Sequence, residues 1–597
     1  MIMIKERLSQ LRRLMEERGM DAYLVPTADF HESEYVGEYF KCRKFLTGFT
    51  GSAGTLVVTK DEALLWVDGR YFVQAEEQLK GSTVQMMKMG EEGVPEVEEF
   101  IAQAVPPHGC LGFDGRVVNS CTGKQLEKLL AKKDASICYE EDLADLVWTD
   151  RPPCSARPVW QLKEEYAGKS AAEKIRELRD EMEKEDATVH ILTTLDDIVW
   201  LLNIRGDDVP CNPVALSYLA VTGEKLYLFI QPQALDEDIK AYLAGLQAEV
   251  RPYDGIYAYV KELKNERVLL EEERVNYAIL RSLHASNQIL NRLNPTVLAK
   301  AVKNPVEIEN MKKAHIKDGV VMARFIRWMK ENAGKIPMDE LSVQEKLDGM
   351  RKEAEGSLGL SFDTISAYGS HGAMCHYSAT KETNITIQPK GFYLVDSGGQ
   401  YYEGTTDITR TIAMGPLTQE EKEHFTLVLI SMLRLGAVKF LSGARGLTLD
   451  YAARQVFWDR GLNFNHGTGH GVGYLLNVHE RPVGIRWKLV KERMDSCVLE
   501  PGMVTSNEPG LYMEGSHGIR TENLMLCVKD EKNEYGQFLR FEYLTYVPID
   551  LDGIEKSLMS ERDVNLLNQY HSQVYEKLSP YLDEEEKRWL KKATRAI

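Results

Sequence analysis

FYLVDSGGQYYEGTTDITRTI, residues 392–412, is the stretch from which the rest of the chain is read. A run of large apolar side chains leads directly into Asp396, as in a buried strand. From Thr405 to Ile412 most residues are β-branched, which suits a second strand. Glycines and polar residues between them suit a turn. A hairpin of this kind brings Asp396 beside Asp407, eleven residues on. Taken singly, each aspartate reads as a strand-end or capping residue. As a pair, on strands otherwise poor in charge, they repel, and they need either a cation or a proton.

Further candidates lie downstream. NHGTGHGVG carries His466 and His470, and its glycines at 467, 469, 471 and 473 let the backbone approach closely. A lone histidine is more often a satisfied core residue than a ligand; two in a glycine-laced loop shift that balance. His479 follows in NVHERP. Glu508, in GMVTSNEPGLY, follows an apolar strand, and Glu522, in HGIRTENLMLCV, heads another. Asp396, Asp407, His470, Glu508 and Glu522 make an oxygen-rich set with one nitrogen, and four carboxylates balance two divalent ions. Such a set favours manganese, with zinc, cobalt or iron as alternatives. Two ions roughly 3.5–4 Å apart can share a water, lower its pKa and polarise a carbonyl, which is the chemistry of amide hydrolysis. The chain has no G-x-S-x-G elbow, no phosphate-binding loop and no H-E-x-x-H helix to support a competing mechanism.

Around this centre the 597 residues leave room for three or four domains. Net charge is −18, from 73 basic and 91 acidic residues, which argues against a nucleic-acid or anionic-membrane surface. Nine scattered cysteines without CxxC spacing fit reduced thiols. The N-terminal stretch has Leu8, Leu11, Leu14 and Met15 at helical spacing and lacks the pattern of a signal peptide. Residues 425–441 hold Arg434 and Lys439 and read as a core helix rather than a membrane span.

The first half contains a weak repeat. A helix, an apolar strand, a polar loop and further strands follow in one order from the N-terminus, and in the same order again from Ser170. Arg151-Pro152-Pro153 suits a connector between the copies. A second boundary falls in residues 297–304, followed by a long amphipathic helix with Ile308, Met311, Ala314, His315, Val321 and Ala323 on its apolar stripe.

VDSGGQYYEGTTDITRT, HGTGHGVG, NVHE, SNEPG and GIRTEN, in this order and spacing, resemble the pita-bread metallopeptidases. Within them the chain is most similar to the large three-domain Xaa-Pro aminopeptidases. The resemblance implies an α/β (α+β) protein: creatinase-like α/β domains at 1–155 and 156–302, then a pita-bread catalytic domain at 303–597. It implies hydrolysis of the Xaa-Pro bond by a water bridging two divalent ions, in a cytoplasmic homodimer that acts on peptides with proline second and has no nucleic-acid or membrane partner. Asp407 and Glu522 would bridge the ions. Asp396 would complete one shell, and His470 and Glu508 the other. Glu508 would serve as general base and His479 would steady the tetrahedral intermediate. His376, in AMCHYSAT, would contact substrate near the scissile bond; His466 would line the proline pocket; Arg520 would orient carboxylates.

The sequence departs from the family at Asp363, His371, Ser378 and Arg481, none of them a ligand. His371 and Arg481 are expected to add positive charge near the substrate. The competing readings are a sister hydrolase such as a prolidase or methionine aminopeptidase, which lacks the duplicated domain, and a non-catalytic binding protein, which usually lacks the ligands.

Overall fold

Two six-stranded sheets of one design dominate the first half of the computed structural model, which describes residues 2–489 and 497–597. Both belong to a compact unit formed by Met1–Leu162 and Ser170–Thr296. In space, the first sheet runs Gln85–Lys88, Ala63–Val67, Thr55–Thr59, Ala22–Pro26, Cys110–Gly112, Ser136–Cys138. The second runs Ala248–Arg251, Leu226–Ile230, Ser217–Thr222, Val189–Leu192, Arg267–Leu270, Gln288–Asn291. Strand order and direction agree throughout: the second and third strands of each list pair antiparallel, as do the third and fourth, and every other neighbour is parallel. The weak repeat is therefore a repeat of topology.

The helices that open each copy show why these residues fold this way. Ile2–Glu17 buries Leu8, Leu11 and Met15 and leaves Leu14 half-buried. Ala171–Lys184 begins at Ser170, whose hydroxyl accepts from the Glu173 amide while Glu173 reaches back, a reciprocal cap that contributes about 1 kcal/mol. It then buries Ile175, Leu178 and Met182. Each such side chain contributes about 1.5–3 kcal/mol.

The second unit comprises Lys163–Lys169 and Val297–Ile597. Its long helix, Pro305–Asn332, is capped by Asn304 and Glu307 and starts with proline at its first position. Met311, Ala314, His315, Val321 and Ala323 are buried as the periodicity predicts, and Ile308 is half-buried. Residues 425–441 are not one helix. The helix Gln419–Gly436 ends where Gly436 packs on Tyr543; a Cβ there would lie 2.0 Å from the phenol oxygen. The chain then turns into the short strand Lys439–Leu441, with Phe440 opposite Leu539. Among the described residues no helix is long and apolar enough to cross a membrane.

Two sheets of this unit position the candidates. In the first, Phe392–Ser397 lies between Ile365–Tyr368 and Ile408–Ala413, all antiparallel. The expected turn between the aspartate strands is itself a small hairpin, Gly399–Tyr401 with Gly404–Thr405, which pairs with Ser357–Leu360 in a separate sheet. The other is antiparallel, in the order Lys439–Leu441, Gly536–Tyr543, Asn523–Asn533, Val504–Asn507, Gly469–Gly471, Glu480–Ile485.

Candidate metal centre

Asp396 is the fifth residue of its strand and lies opposite Thr409; Asp407 immediately precedes the partner strand. The two carboxylates thus come from neighbouring strands of one sheet. Thr409 also joins this sheet to the next. Its carbonyl accepts from the Glu522 amide at 3.1 Å, and its hydroxyl donates to Glu522 Oε2 at 2.7 Å. His470 lies in the strand Gly469–Gly471 of the larger sheet, and Glu508 directly follows the neighbouring strand Val504–Asn507. Ser506 Oγ accepts from the His470 amide at 2.9 Å and donates to Glu508 Oε1 at 3.2 Å. These strands approach so closely that a Cβ on Gly469 would lie 2.1 Å from the Ser506 carbonyl oxygen. The next glycines of the histidine loop are tight as well: a Cβ on Gly471 would lie 2.3 Å from the Glu480 carbonyl oxygen and one on Gly473 2.6 Å from that of Asn477.

Asp407, His470 and Glu522 each offer one ligand atom, all within 4.8 Å of one another. His470 Nε2 stands 3.5 Å from Asp407 Oδ2 and 3.4 Å from Glu508 Oε1. Its Nδ1 donates to the Gly471 carbonyl at 2.9 Å, which leaves Nε2 the lone-pair nitrogen, facing the carboxylates. Asp396 Oδ1 and Glu522 Oε1 are buried and have no hydrogen-bond partner. Burial pushes Asp407 well above the ordinary carboxylate range, and the negative charges of Asp396 and Glu508 push further. Glu522 is raised in the same way, by burial and then by Asp407. Burial takes Glu508 up to about 7, against the opposing pull of Arg520. Such a cluster is a poor home for four anions and a good one for divalent cations, so the donor set fits two metal ions.

Arg520 and its partners frame this cluster. Its Nη2 donates to Asp396 Oδ2 at 2.6 Å and to the Cys375 carbonyl at 3.5 Å, and its Nη1 donates to the Tyr512 hydroxyl at 2.8 Å. Tyr512 in turn lies 2.8 Å from His466 Nε2, while His466 Nδ1 donates to the Gly467 carbonyl. Burial, and then the Arg520 charge, hold His466 down at about 3, so it is a neutral acceptor. The His479 ring meets the His470 ring edge to face at 4.4 Å. His376 is exposed, one residue beyond the Cys375 carbonyl.

Tyr512, Thr409 and Ser506 were not found from the sequence. Tyr512 shares Arg520's face only through the register of this hairpin: Gly510–Met513 pairs with His517–Arg520, Gly510 lies opposite Arg520, and Tyr512 is two residues on. The charge expected from His371 is not offered freely to substrate: Nδ1 is engaged by Glu340 at 2.9 Å.

Comparison with known proteins agrees with this geometry. The Creatinase/Prolidase N-terminal domain pattern matches residues 7–142 and 150–307. Metallopeptidase family M24 matches 309–529, and the C-terminal region of peptidase M24 matches 537–597. A Talaromyces marneffei protein named "Probable Xaa-Pro aminopeptidase P" is 39% identical over 99% of this chain and 92% of its own length. Aminopeptidase P2 of Arabidopsis thaliana is 37% identical, over 100% of this chain and 89% of its own. The crystal structure of X-prolyl aminopeptidase from Caenorhabditis elegans, described as a cytosolic enzyme with a dinuclear active site, superposes with a TM-score of 0.94 at 35% identity, covering 100% of both chains. Creatinase-type domains thus precede a pita-bread domain.

Proposed function

The chain belongs to the Xaa-Pro aminopeptidases of metallopeptidase family M24, and from that premise we propose that it releases the first residue of peptides whose second residue is proline. The observation that carries this reading is the carboxylate cluster around His470 Nε2, with Asp396 Oδ1 and Glu522 Oε1 buried and unpartnered.

Asp396, Asp407, His470, Glu508 and Glu522 would hold two divalent ions, and the oxygen-rich set favours Mn²⁺. When bound, the ions would lower the pKa of a water and polarise the scissile carbonyl. Glu508 serves as general base and takes up a proton at Oε1 or Oε2. Ser506 Oγ steadies that carboxylate. His479, against the His470 ring, and His376, on its exposed loop, donate toward negative charge that develops on the substrate. His466 accepts from Tyr512 and offers its ring to the substrate, and Arg520 fixes Asp396. A prolyl amide has no N–H, so recognition rests on ring shape and the free amino terminus.

We assign the domains to 1–155, 156–302 and 303–597 and the protein to the cytosol, as the nematode enzyme is described. We also assign a homodimer. An exposed aromatic patch supports it: Tyr451 and Trp458, on the helix Gly446–Trp458, with Trp487, have ring centroids 5.9 and 6.3 Å apart. A Tyr451→Asp variant is expected to sediment as a monomer; an unchanged mass would move the interface elsewhere.

Hydrolysis of Arg-Pro-Pro with added manganese tests the function. Release of arginine from Arg-Pro-Pro but not from Arg-Ala-Pro is expected. Cleavage of the dipeptide Ala-Pro alone would mean a prolidase instead.

A further inference from the structure

Glu340 is a buried carboxylate that the reaction does not use, yet it gathers the segment that carries His376. It is the first residue of the helix Glu340–Lys352, and its side chain is fully buried. Glu340 Oε1 accepts from His371 Nδ1 at 2.9 Å and from the Tyr368 amide at 2.8 Å. Oε2 accepts from the Tyr377 hydroxyl at 2.9 Å and from the Ile385 amide at 3.3 Å. Four donors occupy all the acceptor sites of one carboxylate. The His371 and Tyr377 rings also pack together, with centroids 4.5 Å apart.

Both side-chain donors flank His376, one five residues before it and one directly after. The opposite side of the segment is fixed as well. The turn Gly369–Ala373 packs backbone to backbone on the strand His517–Arg520, so that a Cβ on Gly518 would lie 1.6 Å from the Gly372 carbonyl oxygen. Arg520 bonds the Cys375 carbonyl and Asp396 at once. The chain on either side of His376 is thus clamped between a buried anion and the arginine that holds a metal-centre aspartate.

We propose that Glu340 is a positioning residue that sets His376 against the scissile bond through His371 and Tyr377. This rests on the aminopeptidase reading above, in which His376 touches substrate. Partners that orient metal ligands typically contribute about 10- to 100-fold to activity, and partners that orient a substrate contact are expected to act on the lower end of that scale.

The test combines kinetics with amide exchange on manganese-loaded protein. His371→Ala and Tyr377→Phe are each expected to lower kcat/KM on Arg-Pro-Pro by about tenfold, mostly in kcat, with metal content unchanged. In a His376→Ala background neither is expected to cost anything further, because both act through His376. Glu340→Gln, which keeps the shape of the side chain, is expected to speed amide exchange at Tyr368, Tyr377 and Ile385 and to leave the strands Phe392–Ser397 and Val504–Asn507 protected. Losses that multiply with His376→Ala would overturn the proposal, as would exchange in Glu340→Gln matching wild type. If wild type leaves Arg-Pro-Pro intact, the aminopeptidase reading fails by itself, and the exchange rates still decide whether Glu340 anchors the segment.

Discussion

Asp318 and Asp407 are both buried in the catalytic unit, and Thr406, the neighbour of Asp407, hydrogen-bonds Asp318. Their surroundings are opposite. Asp318 receives Arg351 Nε at 2.7 Å and Nη2 at 3.2 Å, the Tyr401 hydroxyl at 2.9 Å and the Thr406 hydroxyl at 2.8 Å. A short distance along the same chain, Asp407 faces Asp396, Glu508 and Glu522, two of which keep an unpartnered oxygen. A carboxylate saturated by donors and a paired cation belongs to the scaffold. One surrounded by other carboxylates is incomplete without an added charge. Burial alone does not separate these two carboxylates; the sign of the charges around each does.

The largest effect tests the incomplete cluster. Asp407→Asn is expected to cut Arg-Pro-Pro hydrolysis at least about 10³-fold and to raise the stability of the metal-free protein, since a repelling charge has gone. A stability loss comparable to that at Asp318 would erase the contrast. Next comes the saturated cluster. Asp318→Ala strands Arg351 in the interior and is expected to cost about 3–5 kcal/mol in urea unfolding of the metal-free protein. Arg520→Lys keeps the charge but gives up the two-armed contact to Asp396 and Tyr512. Metal affinity measured calorimetrically is expected to fall about 10- to 100-fold.

The smallest effect is a pH slope. Glu508 titrates at about 7 in the folded protein, above the ordinary glutamate value of 4.5. Between those values the native state holds a proton that the unfolded chain has released. Stability of the metal-free protein is therefore full below pH 4.5 and is lost as pH rises through about 7. The slope is at most about 1.4 kcal/mol per pH unit for each proton. Metal displaces that proton, so the stabilisation from added manganese grows over the same window. Thermal unfolding at pH 5.5, 6.5 and 7.5, with and without manganese, checks both signs.

This contrast also explains what could be read without coordinates. Asp396 and Asp407 were legible because apolar and β-branched runs announce the strands that carry them, and the repeated N-terminal topology was legible because its helices and strands recur in one order. Asp318 and Glu340 were not. Asp318 sits within a helix, and Glu340 at the start of one, where an acidic residue ordinarily faces water. Their donors come from residues up to 88 positions away, which no local pattern reports. Tyr512 depends on hairpin register, and the end of the helix at Gly436 depends on Tyr543 standing against it.

The meeting of Gly372 with Gly518 bears on how this protein tolerates variation. A side chain at position 518 has nowhere to go, because even its first carbon would overlap a carbonyl oxygen of the facing turn. In a saturation library selected for peptide cleavage, substitutions at position 518 are thus expected to be depleted as severely as those at Asp407, although glycine brings no functional group to the reaction. Intolerance to mutation here marks two kinds of position, those that act on the substrate and those that allow two segments to touch, and the folded fraction of each purified variant tells them apart.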